Sequence, residues 1–336
     1  MSPDRTDSRP LLDVRDLDVA YEVSGSSWRR TTTTVVKGVS FHIDAGETYG
    51  LVGESGSGKS TTGRAILRLA EVAGGTIEFD GTDLATLGER TPLSYRRDVQ
   101  AVYQDPAGSL NPRHHVGRAV TDALKRHGTG DRAERQDRAR EAFAQVGLTD
   151  AHLSRFPSEM SGGQLQRVAI ARALVLEPRL VICDEAVSAL DLSTQSQIIN
   201  LLMDLQQASG VSYLFITHDL GVVRHMAHRL GVLRKGELIE QGDTSAVFAD
   251  PQHEYTRSLL AASPSSHPEG REQRRADRLA RRRGAAQASE GAGGTAASAS
   301  PTAPAAAASS PARPATADMR QAGPTRPMVA RPEGRA

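Results

Sequence analysis

The chain has 336 residues, and its 41 Lys and Arg side chains nearly balance 40 Asp and Glu, which leaves a formal net charge of +1. This balance gives no reason to expect nucleic acid as a partner, and the single cysteine, Cys183, excludes a disulfide framework and a cysteine-based zinc or iron–sulfur site. The first ten residues lack the apolar core of a signal peptide, and no apolar run reaches the roughly 20 residues that cross a bilayer. We therefore expect a cytoplasmic protein that meets a membrane only through other chains.

The composition changes sharply near residue 263. Beyond it come a basic run at 271–283 and then repeats of Ala, Ser, Pro, Gly and Thr, with almost no large apolar side chains. Such a segment cannot bury enough apolar surface to offset its ordering entropy. We expect disordered ends at 1–10 and 263–336, a solvated charge run at 271–283 in preference to a lipid or nucleic-acid contact, and a folded unit over 11–262.

Strand and helix patterns alternate along this folded unit. Strands are predicted at 11–23, 35–43, 48–52, 76–79, 99–103, 179–183 and 212–217, with a closing hairpin at 230–233 and 237–241. Helices are predicted at 59–69, 192–207 and 220–227, a mainly helical block at 116–176, and a polar connection at 24–34. The alternation predicts an α/β fold with a mostly parallel sheet, and the helical block predicts a smaller inserted lobe.

One glycine-rich stretch interrupts an apolar strand and is followed by a helix. Residues 53–60, GESGSGKS, match the pattern G-x-x-x-x-G-K-[ST] of a phosphate-binding loop. Glycines allow backbone N–H groups to turn toward anionic oxygens, and the helix start adds its positive dipole end. The pattern assigns Lys59 to the β- and γ-phosphates of a nucleotide and the Ser60 hydroxyl to Mg²⁺. A chance glycine turn is the alternative, and the strand before and helix after argue against it.

Two acids end the apolar strand LVICDE at 180–185. Asp184 is predicted to hold Mg²⁺ directly or through water, and Glu185 to polarise the attacking water. The alternative is a solvated strand end, which the nearby phosphate loop disfavours. We expect Cys183 to be a small buried apolar side chain.

A third motif, MSGGQLQR at 160–167, stands at the head of a helical run. Ser161 and Gly163 at a helix N-terminus form a second anion site. Two such sites do not fit easily around one phosphate within one chain. The pattern therefore favours an arrangement in which Ser161 and Gly163 of one copy face the γ-phosphate held by another copy. Taken alone, the motif is an ordinary serine-capped helix.

Together these motifs resemble those of the nucleotide-binding subunits of ABC transporters, over about residues 11–262. GESGSGKST resembles the Walker A loop, LVICDE the Walker B strand, and MSGGQ the family signature, with Met160 where leucine is commoner. The resemblance implies a P-loop NTPase fold of the ABC ATPase type. Its parts are a RecA-like parallel sheet core, an antiparallel β subdomain and a helical subdomain at about 90–176.

The resemblance also implies ATP and Mg²⁺ as cofactors and a role for each matching residue. Glu185, His218 and Gln104 are the implied catalytic residues, and Ser60, Gln104 and Asp184 are the implied Mg²⁺ ligands. The implied nucleotide-binding residues are Tyr21, Gly53, Glu54, Ser55, Gly56, Ser57, Gly58, Lys59, Ser60, Thr61, Ser161, Gly162, Gly163, Gln164 and Asp191.

Four of these residues lie outside the three main motifs. Gln104 and His218 each follow a predicted strand, where the Gln104 amide can reach Mg²⁺ or water and the His218 ring the γ-phosphate. Asp191 ends SALD, which resembles the D-loop at the dimer seam. Tyr21 stands where the family stacks an aromatic ring on adenine, although a strand tyrosine is often only packing. Since every motif residue is present, we expect hydrolysis.

A narrower resemblance concerns the transported cargo. QDPAGSLNPR at 104–113 and HEYTRSLL at 253–260 resemble stretches of dipeptide and oligopeptide importers, and SGGQLQR resembles the second ATPase of the oligopeptide permease. Nickel, glutathione and phosphonate-linked ATPases share these stretches. The cysteine-rich C-terminal segment of some relatives is absent, so we expect no iron–sulfur cluster.

The resemblance implies an ATP hydrolase that energises import of di- or oligopeptides from the cytoplasmic face of a bacterial membrane. The implied partners are a second ABC ATPase (a heterodimer, with a homodimer as the alternative), two membrane-spanning permease subunits and an extracytoplasmic substrate-binding protein, without nucleic acid. The lobe near 104–113 is expected to contact the membrane subunits. The alternatives are a nickel, glutathione or phosphonate system, a non-transport ABC ATPase, and an adaptor that hydrolyses ATP poorly. The presence of Glu185 and His218 disfavours the adaptor.

Overall fold

Ten strands and ten α-helices organise the residues that the computed structural model describes, 9–24 and 30–262. The strands are β1 Leu12–Ser24, β2 Arg30–Ile43, β3 Thr48–Val52, β4 Val72–Phe79, β5 Thr82–Asp83, β6 Val99–Tyr103, β7 Leu180–Asp184, β8 Ser212–Thr217, β9 Arg229–Arg234 and β10 Glu237–Asp243. The helices are α1 Lys59–Ile66, α2 Leu93–Asp98, α3 Val116–Arg126, α4 Arg132–Gln145, α5 Asp150–Leu153, α6 Gly162–Leu174, α7 Leu192–Ser209, α8 Leu220–Met226, α9 Thr244–Ala249 and α10 Glu254–Ala262. Most of the N-terminal segment expected to be disordered, 1–8, and the tail 263–336 lie outside the described residues.

A six-stranded sheet carries the strands of the sequence motifs, in the order β10-β9-β3-β8-β7-β6. Strands β9, β3, β8, β7 and β6 pair in parallel, and β10 closes the edge as an antiparallel hairpin with β9. Strands β3 and β8 are buried along their whole length. Parallel strands are covered on both faces, so they appear in a sequence as continuous apolar runs. The predicted α/β fold with a mostly parallel sheet is confirmed.

A second, antiparallel sheet has the order β2-β1-β4-β5. Its inward residues, such as Leu12 and Val36, share an apolar cluster with Leu51 of β3 and Ile66 of α1, so this sheet packs on the phosphate-loop side of the parallel core. The polar connection predicted at 24–34 was wrong in part, because β1 extends to Ser24 and β2 begins at Arg30. The reason is that β-branched threonines continue the β1–β2 ladder beyond the apolar alternation.

The inserted helices α3, α4, α5 and α6 form the helical lobe. Buried side chains from three of them, including Val120, Phe143 and Val168, form one apolar cluster. The range expected for this lobe, 90–176, also contains β6, which pairs with β7 in the parallel sheet. The predominantly helical part of the insertion therefore begins beyond β6. The helices found within 9–24 and 30–262 are all too short or too polar to cross a membrane.

Candidate nucleotide site

Four neighbouring parallel strands end at the same level. In the sheet register Val52 lies opposite Thr217, and Asp184 lies opposite both Ile216 and Tyr103. Gly53, Gln104, Glu185 and His218 each follow the end of one of these strands. Open α/β sheets bind their ligands at the carboxyl ends of the strands. The topology thus brings the predicted phosphate, metal and catalytic residues to one edge.

The loop at 53–58 has a conformation that requires glycine at particular points. Gly58 has a φ of 108°, in the left-handed region that side chains rarely adopt. A Cβ on Gly53 would lie 2.1 Å from the carbonyl oxygen of Leu233 in β9. The loop therefore packs closely against β9 at Gly53 and makes a sharp turn at Gly58.

Several polar groups of the loop have no partner among the described residues. The backbone amides at 58–61 donate to no acceptor there, and the Ser57 hydroxyl is buried without a hydrogen-bond partner. Helix α1 begins at Lys59, so these amides are the free donors of a helix N-terminus. The unfilled donors fit the phosphates of a nucleotide.

Lys59 lies inside the loop and is only 4% exposed. Its ammonium donates to the carbonyl oxygens of Gly53 and Glu54, each at 2.8 Å. Burial lowers the pKa of Lys59, while the carboxylates of Glu185, Asp184 and Glu54 act in the opposite direction. The loop thus holds a desolvated cation that can exchange its two carbonyl partners for phosphate oxygens.

Ser60 and Asp184 bring two oxygens together across the site. The Ser60 hydroxyl donates to Asp184 Oδ1 at 2.7 Å. Burial raises the pKa of Asp184, and the hydrogen bond from Ser60 opposes this rise. A partly desolvated carboxylate beside a hydroxyl has the hard oxygen donors that Mg²⁺ prefers. Among the described residues no group of three or more His, Cys, Asp and Glu side chains could form a metal site of its own.

Glu185 and His218 form the second pair. His218 Nδ1 lies 3.3 Å from Glu185 Oε1. Glu185 has a φ of 51°, although it is not a glycine, and its amide donates to the carbonyl of Ile216 at 2.9 Å. Such strained backbone is concentrated at functional sites. The neighbouring Cys183 is fully buried, and burial raises its pKa to about 12, so the expectation of an unreactive apolar side chain is confirmed.

The signature residues and Asp191 lie at the starts of two neighbouring helices. Ser161 and Gln164 cap α6 reciprocally, and Asp191 caps α7 by accepting from the Thr194 amide at 3.0 Å. Hydrogen bonds from Ser193 and Thr194 hold the pKa of Asp191 well below its usual range. A Cβ on Gly163 would lie 2.5 Å from the Thr194 methyl group, so the two helix starts are in contact.

The structure does not join every predicted residue to the phosphate loop. Among the described residues, Ser161, Gly162 and Gln164 form no hydrogen bond or ion pair with this loop, and the Asp191 carboxylate is hydrogen-bonded only at the start of its own helix. Gln104 is exposed just after β6, and Tyr21 is 38% exposed in β1 opposite Thr33. The roles assigned to these side chains stay predictions.

Arg234 and Tyr255 lie near the loop, although neither was predicted to belong to the nucleotide site. A cavity of about 440 Å³ beside the loop is lined by Glu54, Ser55, Gly56, Ser57, Arg234, Lys235, Glu254, Tyr255 and Ser258. The Glu54 amide donates to the Tyr255 hydroxyl at 3.3 Å, and the Arg234 guanidinium lies 4.7 Å from the centre of the Tyr255 ring. The stretch HEYTRSLL indicated a family resemblance, but no local pattern indicated contact with a loop 201 residues away.

Comparison with known proteins assigns the class. The sequence profile described as ABC transporter matches residues 36–188. A dimeric structure of the ATP-binding cassette MJ0796 in a post-hydrolysis state, bound to ADP and Pi, superposes with a TM-score of 0.62 at 30% identity, over 69% of this chain and 98% of that one. The structure of cbiO1 from Clostridium perfringens, part of the ABC transporter complex cbiONQ, has a TM-score of 0.62 at 27% identity, over 72% of this chain and 92% of that one.

Curated relatives are more similar in sequence. The glutathione import ATP-binding protein GsiA of Salmonella typhimurium is 48% identical over 273 residues, which cover 80% of this chain and 44% of the relative. GsiA of Escherichia coli O157:H7 is 48% identical over 264 residues, which cover 78% and 42%. The chain spans less than half the length of these relatives.

The fold and the site define a P-loop ATPase of the ATP-binding cassette type. The chain belongs to the ABC transporter family, as an ATP-binding subunit with the ABC ATPase fold. The predicted fold class is confirmed in its three parts: the parallel sheet, the antiparallel β subdomain and the helical insertion.

Proposed function

We propose that this chain hydrolyses ATP to energise an ABC importer of short peptides at the cytoplasmic face of a bacterial membrane. The observation that carries the hydrolytic part is the Glu185–His218 pair, 3.3 Å apart, at the strand ends beside the phosphate loop. The similarity to the GsiA proteins, whose name specifies glutathione import, supports the transport part. Glutathione is itself a tripeptide, so it falls within the proposed cargo class.

In this proposal the chain's residues divide the work between binding and water activation. The free amides at 58–61 and the Lys59 ammonium bind the phosphates, and Ser60 and Asp184 hold Mg²⁺. When bound there, Mg²⁺ would supply positive charge that offsets the charge of the phosphates. Glu185 polarises the attacking water, and His218 orients Glu185 and contacts the γ-phosphate. The Gln104 amide contacts the metal or the water.

A second cassette completes the site. Ser161, Gly162 and Asp191 are exposed at the touching starts of α6 and α7, and within the part of the chain that the structure describes they form no hydrogen bond or ion pair with the phosphate loop. We therefore place the signature of one cassette against the phosphates held by the other. The proposed partner is a related but different cassette, and a homodimer is the alternative. Tyr21 is proposed to stack on the adenine ring.

The surface proposed for the membrane subunits lies where the stretch after Gln104 meets the helical lobe. A groove of about 170 Å³ there is lined by Ser109, Leu110, Asn111, His114, His115, Val116, Arg118, Ala119, Asp122, Pro157 and Arg172. Arg172 of α6 donates to the Ser109 carbonyl at 2.8 Å, which ties the lobe to the segment leaving the sheet. Two permease subunits and an extracytoplasmic binding protein complete the proposed system.

The experiment is a pull-down from native membranes with the Glu185→Gln chain and ATP, with co-purifying proteins read by mass spectrometry. We expect two multi-span proteins and a second ABC ATPase, and we expect their recovery to fall with Lys59→Ala as the nucleotide-free control. Ribosomes, DNA-repair proteins or a soluble enzyme complex in their place would overturn the transport proposal and favour a non-transport ABC ATPase.

The cargo needs a separate measurement. Uptake of labelled glutathione, a dipeptide, an oligopeptide, nickel and a phosphonate is compared in cells with and without the gene for this chain. We expect loss of uptake of glutathione or of another short peptide. Selective loss of nickel or phosphonate uptake would replace the peptide cargo while leaving the ATPase assignment in place.

A further inference from the structure

Helix α10 packs against the part of the sheet from which the phosphate loop leaves. The Tyr255 ring is 9% exposed and belongs to the same apolar cluster as Val52, the last residue of β3, and Val232 of β9. The Arg234 guanidinium lies 4.7 Å from the centre of the ring, on the side of the cavity beside the loop. The position of the ring is thus set by packing and by a cation–π contact.

The start of α10 is fixed independently of the loop. The Glu240 carboxylate in β10 accepts from the backbone amides of Gln252 at 2.7 Å and His253 at 3.1 Å. The Tyr255 amide donates to His253 Nδ1 at 3.0 Å. Since the helix is anchored to the sheet through Glu240, Tyr255 offers its hydroxyl from a rigid element.

That hydroxyl meets the second residue of the phosphate loop. The Glu54 amide donates to the Tyr255 oxygen at 3.3 Å. The Glu54 carbonyl, on the other side of the same residue, accepts from the Ser57 amide at 3.2 Å and from the Lys59 ammonium at 2.8 Å. A rotation of the Glu54 backbone would therefore disturb both the turn of the loop and the place of its lysine.

We propose that Tyr255 is a positioning residue of the nucleotide site, whose hydroxyl holds the Glu54 amide and keeps the first turn of the phosphate loop in the shape that receives phosphates. The inference rests on the ATP site assigned above. Without the hydroxyl, the loop has to be ordered when nucleotide binds, which weakens binding. Among the described residues the Tyr255 hydroxyl bonds to the loop backbone and not to Glu185 or His218, so we expect it to stabilise bound substrate and transition state alike and to leave kcat unchanged.

The test uses the full chain with Tyr255→Phe, which keeps the ring and removes only the hydroxyl. We expect Kd for both ATP and ADP, and KM for ATP, to rise about 3- to 10-fold, the effect of one hydrogen bond. We expect kcat to stay within about twofold of the wild-type value. The matched control is Tyr213→Phe, which removes a hydroxyl-to-backbone bond of 3.1 Å to Leu202, away from the loop. The control should lower Tm and leave Kd unchanged.

The outcomes separate this inference from the assignment of the site. An unchanged Kd in Tyr255→Phe, a fall in kcat without a rise in KM, or an equal rise in Kd for Tyr213→Phe would each overturn the positioning role. Lys59→Ala tests the site itself and should abolish ATP binding. If Lys59→Ala binds ATP normally, the nucleotide site is wrong. If Lys59→Ala loses binding while Tyr255→Phe is normal, only the positioning role fails.

Discussion

The Ser60 hydroxyl donates to Asp184 Oδ1 at 2.7 Å, although the two residues are 124 positions apart in the chain. Ser60 lies in the first turn of α1, and Asp184 is the last residue of β7. Strand β3 leads into the loop, and β8 lies between β3 and β7 in the sheet. After β3 the chain crosses to β6 on one side, and after β8 it crosses to β9 on the other side, so the direction of the connections changes between β3 and β8. This crossover is where an open α/β sheet forms its ligand crevice.

Asp184 should make stability depend on pH when Mg²⁺ and nucleotide are absent. Burial raises the pKa of Asp184 in the folded chain above its ordinary value of 3.8, so the folded state binds this proton more tightly than the unfolded state. The contribution of Asp184 to the free energy of unfolding therefore falls as the pH rises from about 3.8 through the raised pKa. We expect Asp184→Asn, which keeps the oxygen facing Ser60, to gain Tm relative to wild type over this window.

The measurement for Asp184 is Tm against pH by thermal unfolding in a chelating buffer. The control is Asp204→Asn, an exposed change in α7, which should leave the pH profile unchanged. Added Mg²⁺ and ATP should stabilise wild type more than Asp184→Asn. Equal pH profiles for wild type and Asp184→Asn would show that burial does not penalise this carboxylate.

Glu185→Gln should separate binding from hydrolysis. The amide occupies nearly the same volume but cannot take up a proton, so we expect ATP binding to persist and turnover to fall about 10²- to 10⁴-fold. Steady-state phosphate release and ATP titration are the measurements, with the exposed Glu177→Gln as the control. Normal turnover would remove Glu185 from the reaction.

His218→Ala tests the orientation of Glu185. The ring nitrogen lies 3.3 Å from the carboxylate, and its loss frees a side chain that has to aim at water. We expect kcat to fall on the order of 10- to 100-fold, the cost of misplacing a reacting group. The measurement is kcat and ATP affinity beside His225→Ala, an exposed histidine in α8 that should behave as wild type. A kcat equal to that of His225→Ala would contradict the role.

Gly53→Ala tests the close approach of the loop to β9. The new methyl group would lie 2.1 Å from the Leu233 carbonyl oxygen, so something must shift, at a cost of about 1–3 kcal/mol in the free energy of unfolding. We expect ATP binding to be lost as well, because the shift displaces the loop. Gly88→Ala is the control, since it has a φ of 73° and open space around it. It should lose stability by denaturant titration but still bind ATP.

The local pattern of the chain determined a large part of the site. The positive φ angles at Gly53, Gly56 and Gly58 favour glycine, and apolar runs such as 48–52 and 212–217 are the pattern that a doubly covered strand requires. These constraints act over a few residues, so they can be recognised along the sequence. They sufficed to predict the class of fold, and to predict that the loop 53–58 and the acids Asp184 and Glu185 follow the strands now seen as β3 and β7.

The tertiary structure decided the features that depend on contacts between residues far apart in the sequence. It placed β6 beside β7 within the range expected for the helical lobe, and it extended β2 back to Arg30. It set Glu185 in a left-handed conformation, in which the Glu185 amide donates a hydrogen bond to the Ile216 carbonyl, and it brought Tyr255 to Glu54. Strand register and helix docking are fixed by contacts between residues far apart in sequence, and the free energy of those contacts is not encoded in any short stretch. The sequence therefore determined which chemical groups the chain carries, and packing decided which of them meet.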